Sequence, residues 1–267
     1  QAAEDFMASH EGVRVLVSGM GSSSGIEAVG ETHTADIGTS SRDPKGAEVD
    51  LPVKWIPVAN DGIAVIVHPS NPLSALSRAE IRAIFAGEIT NWRQLGGDDV
   101  PVTLINRDES SGTRDAFDVT IMDGTPFDIN AVVLPGTGQV REVVTRSRGA
   151  IGYISVGFVA PRFVDTQVKA LSIDGIEPSD ANIDAETYPL ARKLYFILPD
   201  TDRASGTNQE GNGADESDIA KRQLAGQFLD YVLSDVVQNG AVRDAGFLPV
   251  LSGQTNGQAE PEPGDGL

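Results

Sequence analysis

Three short stretches set small hydroxyl side chains beside glycine: GSSSG at 21 to 25, GTSSR at 38 to 42, and DESSGT at 108 to 113, directly after Arg107. Hydroxyls and main-chain amides donate hydrogen bonds, glycine lets the backbone approach an oxygen-rich ligand, and an arginine offers a flat, two-pronged, charge-assisted contact. Together they are the chemistry of a site for a tetrahedral oxyanion. The plainer reading is that serine and glycine make turns and cap helices, with Arg107 in a surface ion pair with Asp108 or Glu109, and Ser111 and Thr113 as ordinary caps. Three matched stretches in one chain weigh against it.

Other chemistries fit less well. GSSSG also has the G-x-S-x-G form of a nucleophile elbow, with Ser23 at its centre. That arrangement needs an acid and then a histidine well downstream, and the only later histidines, His33 and His68, come too early. The sequence has no cysteine, and its three histidines share no metal-ligand spacing. No phosphate-cradling G-x-x-x-x-G-K-[ST] loop is present. The expectation is a binding protein, not an enzyme, with no metal and no cofactor.

With 39 acidic against 20 basic residues the net charge is -19, which repels nucleic acid and anionic membranes. An anion site in such a chain must therefore work through short-range hydrogen bonds. No apolar run approaches the roughly 20 residues that span a bilayer. The opening residues lack the order of a signal peptide, so the chain reads as mature or trimmed.

The elements that would position these residues alternate in α/β fashion. A helix over 1 to 10 is followed by a strand, VRVLVSG, at 13 to 19. The run WIPVANDGIAVIVHP is long for one strand and breaks at Asn60-Asp61-Gly62, which predicts a turn or a crossing between lobes. Ser77 and Glu80 have capping-box spacing, and Ile81, Ile84 and Phe85 continue a helical repeat that Gly87 ends. The strand PVTLINR delivers Arg107 at its carboxyl end, and TRDAF starts a helix. QVREVVTRSR reads as a helix closed by Gly149, with strands at AIGYI and LYFIL. Residues 199 to 218 have the composition of an exposed insertion; a long amphipathic helix follows a Ser217 cap, then a shorter helical stretch, and 251 to 267 reads as a flexible acidic tail. In open α/β sheets the carboxyl ends of strands face a crevice, where small-residue turns meet a bound anion.

The blocks GSSSGIEAV, ADIGTSSR, AEIRAIFAGEITNWRQLGG, INRDESSGTRDAF, RGAIGYIS, IDGIEPS, YPLARKLYF and GFLPV, in this order, resemble the phosphate-binding proteins that feed ABC phosphate importers. The resemblance implies a type II periplasmic-binding-protein fold: two α/β lobes, each a mostly parallel sheet flanked by helices, joined by two crossover segments. Lobe one would be 1–64 plus 190–250, lobe two 65–189, and 251–267 the tail. It implies phosphate-binding roles for Ser22, Ser41, Arg107, Ser111, Gly112 and Thr113, with Arg107 as the charged clamp and 111 to 113 as helix-start donors. Gly21, Ser23, Ser40 and Glu109 would support them, Glu109 orienting the arginine or meeting the proton of hydrogen phosphate. Ser41 stands where some relatives carry an aspartate, which makes rejection of sulfate less certain.

The partners implied are inorganic phosphate and an ABC permease, and the location is extracytoplasmic, periplasmic or at the cell surface, with a lipid anchor as one form. That family begins with a strand and small-residue turn before the helix that 1 to 10 resembles; either a second chain or segment supplies that strand, which would be a further partner, or the numbering starts after a cleavage or an unread segment, or this version has dropped it. The alternatives are a receptor for sulfate or molybdate, and a surface or assembly protein that keeps the fold and binds ligand weakly.

Overall fold

The structure is a computed structural model that describes residues 1–19, 21–159, 167–200 and 216–250. Helices α1 (Ala2–Ser9) and α2 (Ser22–Gly30) precede strands β1 (Gly38–Ser40) and β2 (Val53–Val67). Then come β3 (Ala75–Leu76), α3 (Arg78–Phe85), β4 (Thr103–Arg107), α4 (Gly112–Phe117), β5 (Val132–Leu134), α5 (Thr137–Arg146) and β6 (Ala150–Ser155). The chain continues through β7 (Lys169–Ala170), β8 (Ser172–Ile173), α6 (Asp180–Asp184), β9 (Ala191–Pro199), α7 (Glu216–Leu233) and α8 (Asp235–Val237).

Seven strands form one mixed sheet in the order β1-β9-β2-β6-β4-β5, with β7 also against β2. Parallel pairing, as expected for βαβ units, joins β4 to β5 and to β6. The long strands pair antiparallel instead: β2 with β6, β7 and β9, and β1 with β9. The asparagine-aspartate-glycine break predicted in β2 is not a turn. One strand of 15 residues runs through it, lying against β9 from Val53 to Gly62 and against β6 from Ile63 to Val67. Tertiary partners hold it straight: Asn60 exchanges backbone hydrogen bonds with Leu248 at 2.7 and 2.9 Å, and Asp61 is ion-paired. Pro57, which has no N–H to give, sits at a register shift between Pro57 and Ala59.

Both faces of the β2–β6–β4 sheet are covered. Ile63, Val65 and Val67, with Tyr153 beside them on β6, pack in one cluster with Ile81, Ile84, Phe85 and Phe117, while Ala64 and Ile66, with Ile154, pack in another with Val140 and Val144. That is why β2 reads as a continuous apolar run with no alternation. Two smaller clusters lie at the β9 side: Phe6, Val58, Phe228 and Val232, and Ile26, Val29, Val53 and Ile197.

Helix α3 starts with the predicted capping box, Ser77 N–H donating to Glu80 at 2.7 Å and Glu80 N–H to Ser77 Oγ at 3.2 Å. Helix α5 ends at Arg146, three residues before the Gly149 expected to close it. Ser217 lies inside the first turn of α7, which begins at Glu216, and so does not precede it as a cap. The strand predicted at 13 to 19 does not form: the segment has no ladder partner among the described residues, and Leu16 and Val17 are 84% and 81% exposed. Alternating apolar residues become a strand only where a neighbouring backbone satisfies their N–H and C=O groups. The insertion read over 199 to 218 falls mostly, and the tail at 251 to 267 wholly, outside the described residues.

Candidate functional site

Arg107 ends β4, as the sequence predicts, and a tight loop carries the chain into α4. Asp108 folds that loop by accepting from the N–H of Ser110 at 3.0 Å and its hydroxyl at 2.6 Å. Ser111 then caps α4, its Oγ accepting from Arg114 N–H at 3.3 Å. Ser111, Gly112 and Thr113 are all buried. The capping reading of Ser111 is therefore correct, and the cap holds the first residues of the helix in place.

The first two hydroxyl stretches meet this loop. Gly21, with φ +86°, turns the chain into α2, and Ser22 Oγ accepts from Ser41 N–H at 3.0 Å, with Ser41 Oγ 3.4 Å away. A Cβ added at Gly112 would stand 2.1 Å from Ser22 Oγ and 2.7 Å from Ser41 Oγ, and one at Gly21 would stand 2.4 Å from Ser110 O. These two glycines let the α2 start and the α4 start touch. Ser22, Ser41, Gly112 and Thr113 are thus gathered at one place from stretches far apart in the chain.

Of the supporting residues, Ser40 spends its hydroxyl on the backbone of Arg42 at 2.9 Å, and Ser23 accepts from Arg42 Nη2 at 3.4 Å. Arg42 is buried and forked onto Glu48 at 2.6 and 2.8 Å; its Nε lies 2.7 Å from Asp115 of α4, outside hydrogen-bond geometry. Lys45 Nζ reaches the same carboxylate at 2.7 Å. Burial works against the Arg42 cation, but Glu48 and Asp115 outweigh it and raise its pKa. Burial likewise pushes the Glu48 carboxyl up, yet Arg42 and the Lys45 N–H hold it net below the usual range. This network ties the segment after β1 to α4.

Arg107 is not oriented by Glu109, which is exposed. Its guanidinium donates to Leu134 O at 3.2 Å, Thr137 Oγ1 at 3.2 Å and Pro135 O at 2.9 Å. Two main-chain carbonyls and a threonine hydroxyl, from the end of β5 to the start of α5, do the aiming, leaving one N–H on each terminal nitrogen for another acceptor. Burial lowers the Arg107 pKa, Asp108 partly offsets this, and the neighbouring Arg192 cation adds to it. A second cation beside a part-buried guanidinium is a setting that an anion relieves.

Arg192 and Asp61 are site residues that the sequence reading missed. Arg192 Nε and Nη2 donate to Asp61 Oδ2 at 3.0 and 2.7 Å, Nη1 donates to Thr113 Oγ1 at 3.0 Å and to Ser41 O at 3.2 Å, and Ser155 Oγ donates to Asp61 Oδ1 at 2.8 Å. Their side chains are 8% and 1% exposed. The available signal was an acid inside a buried apolar run and an arginine opening another. An open groove of about 490 Å³ lined by Gly87, Thr90, Thr103, Asp128 and Val132 lies elsewhere; it carries an acid and no cation, which disqualifies it as an anion site.

Among the described residues no group of three or more His, Cys, Asp or Glu is placed to hold a metal ion. The groups gathered around Ser22, Ser41, Gly112 and Thr113 are mainly hydrogen-bond donors and cations, an arrangement that can hold an oxyanion.

The chain matches a PBP superfamily domain over residues 1–236. It is 32% identical over 252 residues to the phosphate-binding protein PstS of Bacillus subtilis, covering 93% of this chain and 75% of that protein. A phosphate ABC transporter substrate-binding protein from Clostridium perfringens, solved with bound phosphate, has a TM-score of 0.76 at 31% identity, with 93% of each chain covered. An ABC-type phosphate transport receptor from Vibrio cholerae has a TM-score of 0.72 at 26% identity, again covering 93% of each chain. The fold, the profile match and these relatives place the chain in the PBP superfamily, and within it in the PstS family of phosphate-binding proteins.

Proposed function

We propose that this chain is an extracytoplasmic solute-binding protein that captures inorganic phosphate between two lobes and hands it to an ABC permease, with no covalent chemistry. The lobes are residues 1–64 plus 190–250 and residues 65–189, with β2 and β9 as the crossover segments. The observation that carries this reading is the meeting of Ser22 and Ser41 with Gly112 and Thr113 beside Arg107. Neutral donors and one guanidinium with two N–H groups to spare bind a small oxyanion despite a net charge of -19, because hydrogen bonds act at contact while the long-range field is screened beyond roughly 10 Å. The PstS relatives and the solved phosphate-bound structure support phosphate as the ligand.

Calorimetric titration with phosphate tests this directly: saturable one-to-one binding is expected, and absence of heat with phosphate overturns it. Sulfate is the second reading, and one observation favours it. Asp61 already accepts three hydrogen bonds from Arg192 and Ser155, Glu109 is exposed, and the hydroxyl of Ser41 stands at the cluster in place of a carboxylate that would take the proton of hydrogen phosphate. A carboxylate acceptor would reject fully ionised sulfate; hydroxyls do not. Tighter binding of sulfate than of phosphate would establish that reading in place of the first.

A further inference from the structure

Asp61 and Arg192 are register partners on β2 and β9, so the two long strands meet at a buried ion pair. Such a pair contributes little to stability, because desolvating both charges offsets most of their attraction and apolar residues would pack as well. Its geometry points to another role. Nη1 of Arg192 is shared between Thr113 Oγ1 and Ser41 O, so the guanidinium touches two of the three stretches that carry the hydroxyl cluster.

We propose that Arg192 is a positioning residue of the oxyanion site: it fixes the Thr113 hydroxyl as a donor toward the ligand, with Asp61 and Ser155 holding Arg192 in place. The reason lies in donor inventory. A guanidinium can only donate, so Thr113 Oγ1 must accept from it, and the hydroxyl proton is turned away from Arg192. Ser22 is set in the same sense, since its Oγ accepts from Ser41 N–H. Asp61 takes two Arg192 N–H groups on Oδ2 and the Ser155 hydroxyl on Oδ1, which leaves the fork no freedom to rotate. A lysine, being a single point donor, cannot span Asp61, Ser41 and Thr113 together. This inference rests on the oxyanion-receptor reading and adds a residue that acts through another.

The test is a double-mutant cycle read by phosphate and sulfate titration on the full chain, comparing the parent with Thr113→Val, Arg192→Met and the double variant. Thr113→Val should weaken binding about ten- to hundredfold, the loss of one hydrogen bond to a charged ligand. Arg192→Met should weaken it comparably, and the double variant should be little weaker than the poorer single, because an unoriented hydroxyl contributes little. Losses that multiply would overturn the proposal, since an arginine that only braces the strands would leave the Thr113 contribution intact. Arg192→Lys, folded by circular dichroism, should fail to restore affinity; full restoration also overturns it. If Arg192→Met does not fold, Ser155→Ala with Thr113→Val gives the same cycle, and independent losses there are likewise contrary. A parent that binds neither anion defeats the receptor reading itself, whereas a binding parent with unaltered Arg192 variants defeats this inference alone.

Discussion

A methyl group at Gly112 would stand 2.1 Å from the Ser22 Oγ, so the start of α4 and the start of α2 meet with no space to spare. The neighbouring contact, Gly21 against Ser110 O, is just as close. The hydroxyl cluster exists only while these backbones touch, which makes glycine at 112 a requirement of the site and not merely of the helix.

Gly112→Ala should therefore separate binding from folding. The added carbon must displace Ser22 or move α4, at about 1 to 3 kcal/mol. Phosphate affinity should fall about ten- to hundredfold, while the thermal unfolding midpoint falls by only about 2 to 4 °C per kcal/mol of that cost and the transition stays cooperative. Titration and a melt of the same sample check this, and unchanged affinity would mean that the contact lies outside the binding site.

Arg107→Ala should reduce phosphate binding at least about a hundredfold, because a charge-assisted fork is lost from a part-buried site. Arg107→Lys should recover only a small part. A lysine cannot satisfy Leu134 O, Pro135 O and Thr137 Oγ1 while still facing a ligand. Retained affinity in Arg107→Ala would remove the clamp from the site.

Glu48 gives a pH signature. Its carboxyl is held net low by Arg42, so the folded state gains from its ionisation at pH values above the unfolded carboxyl pKa of about 4.3. That gain disappears as pH falls through the lower folded value. Glu48→Gln should cost about 2 kcal/mol at pH 7, since buried Arg42 loses its forked partner. The gap between parent and variant should close in strongly acid solution. Urea unfolding of both at pH 7 and near pH 3 reads it, and a gap that widens in acid would contradict the assignment.

Asp115 joins α4 to Arg42 and Lys45, whose Nζ is 2.7 Å from its carboxylate. Asp115→Asn should weaken phosphate binding about three- to tenfold, since the Lys45 half of the contact is exposed and the Arg42 half is not. It should also flatten the dependence of affinity on salt. Titrations at low and high sodium chloride measure both effects, and an unchanged salt slope would show that this network does not help to hold the site together.

Much of the molecule is legible in the sequence where the physics is local. The Ser77–Glu80 capping box, the delivery of Arg107 at a strand end and the Ser111 cap all depend on residues within a few positions of one another. The three hydroxyl stretches identify the ligand's class because donors, glycine and arginine have the same chemistry wherever the chain carries them. The net charge of -19, which disfavours nucleic acid as a partner, is legible for the same reason.

Only the tertiary structure decided which groups meet and which way they point. It ran β2 on through Asn60-Asp61-Gly62, left Val13 to Gly19 without a ladder among the described residues, and gave the orientation of Arg107 to Leu134, Pro135 and Thr137 in place of Glu109. It also paired Asp61 with Arg192, which are 131 residues apart. A local pattern states what a segment can donate or bury. Whether a buried charge is neutralised, or an extended segment finds a partner, depends on the register of distant strands, and that is set by the packing of the whole chain.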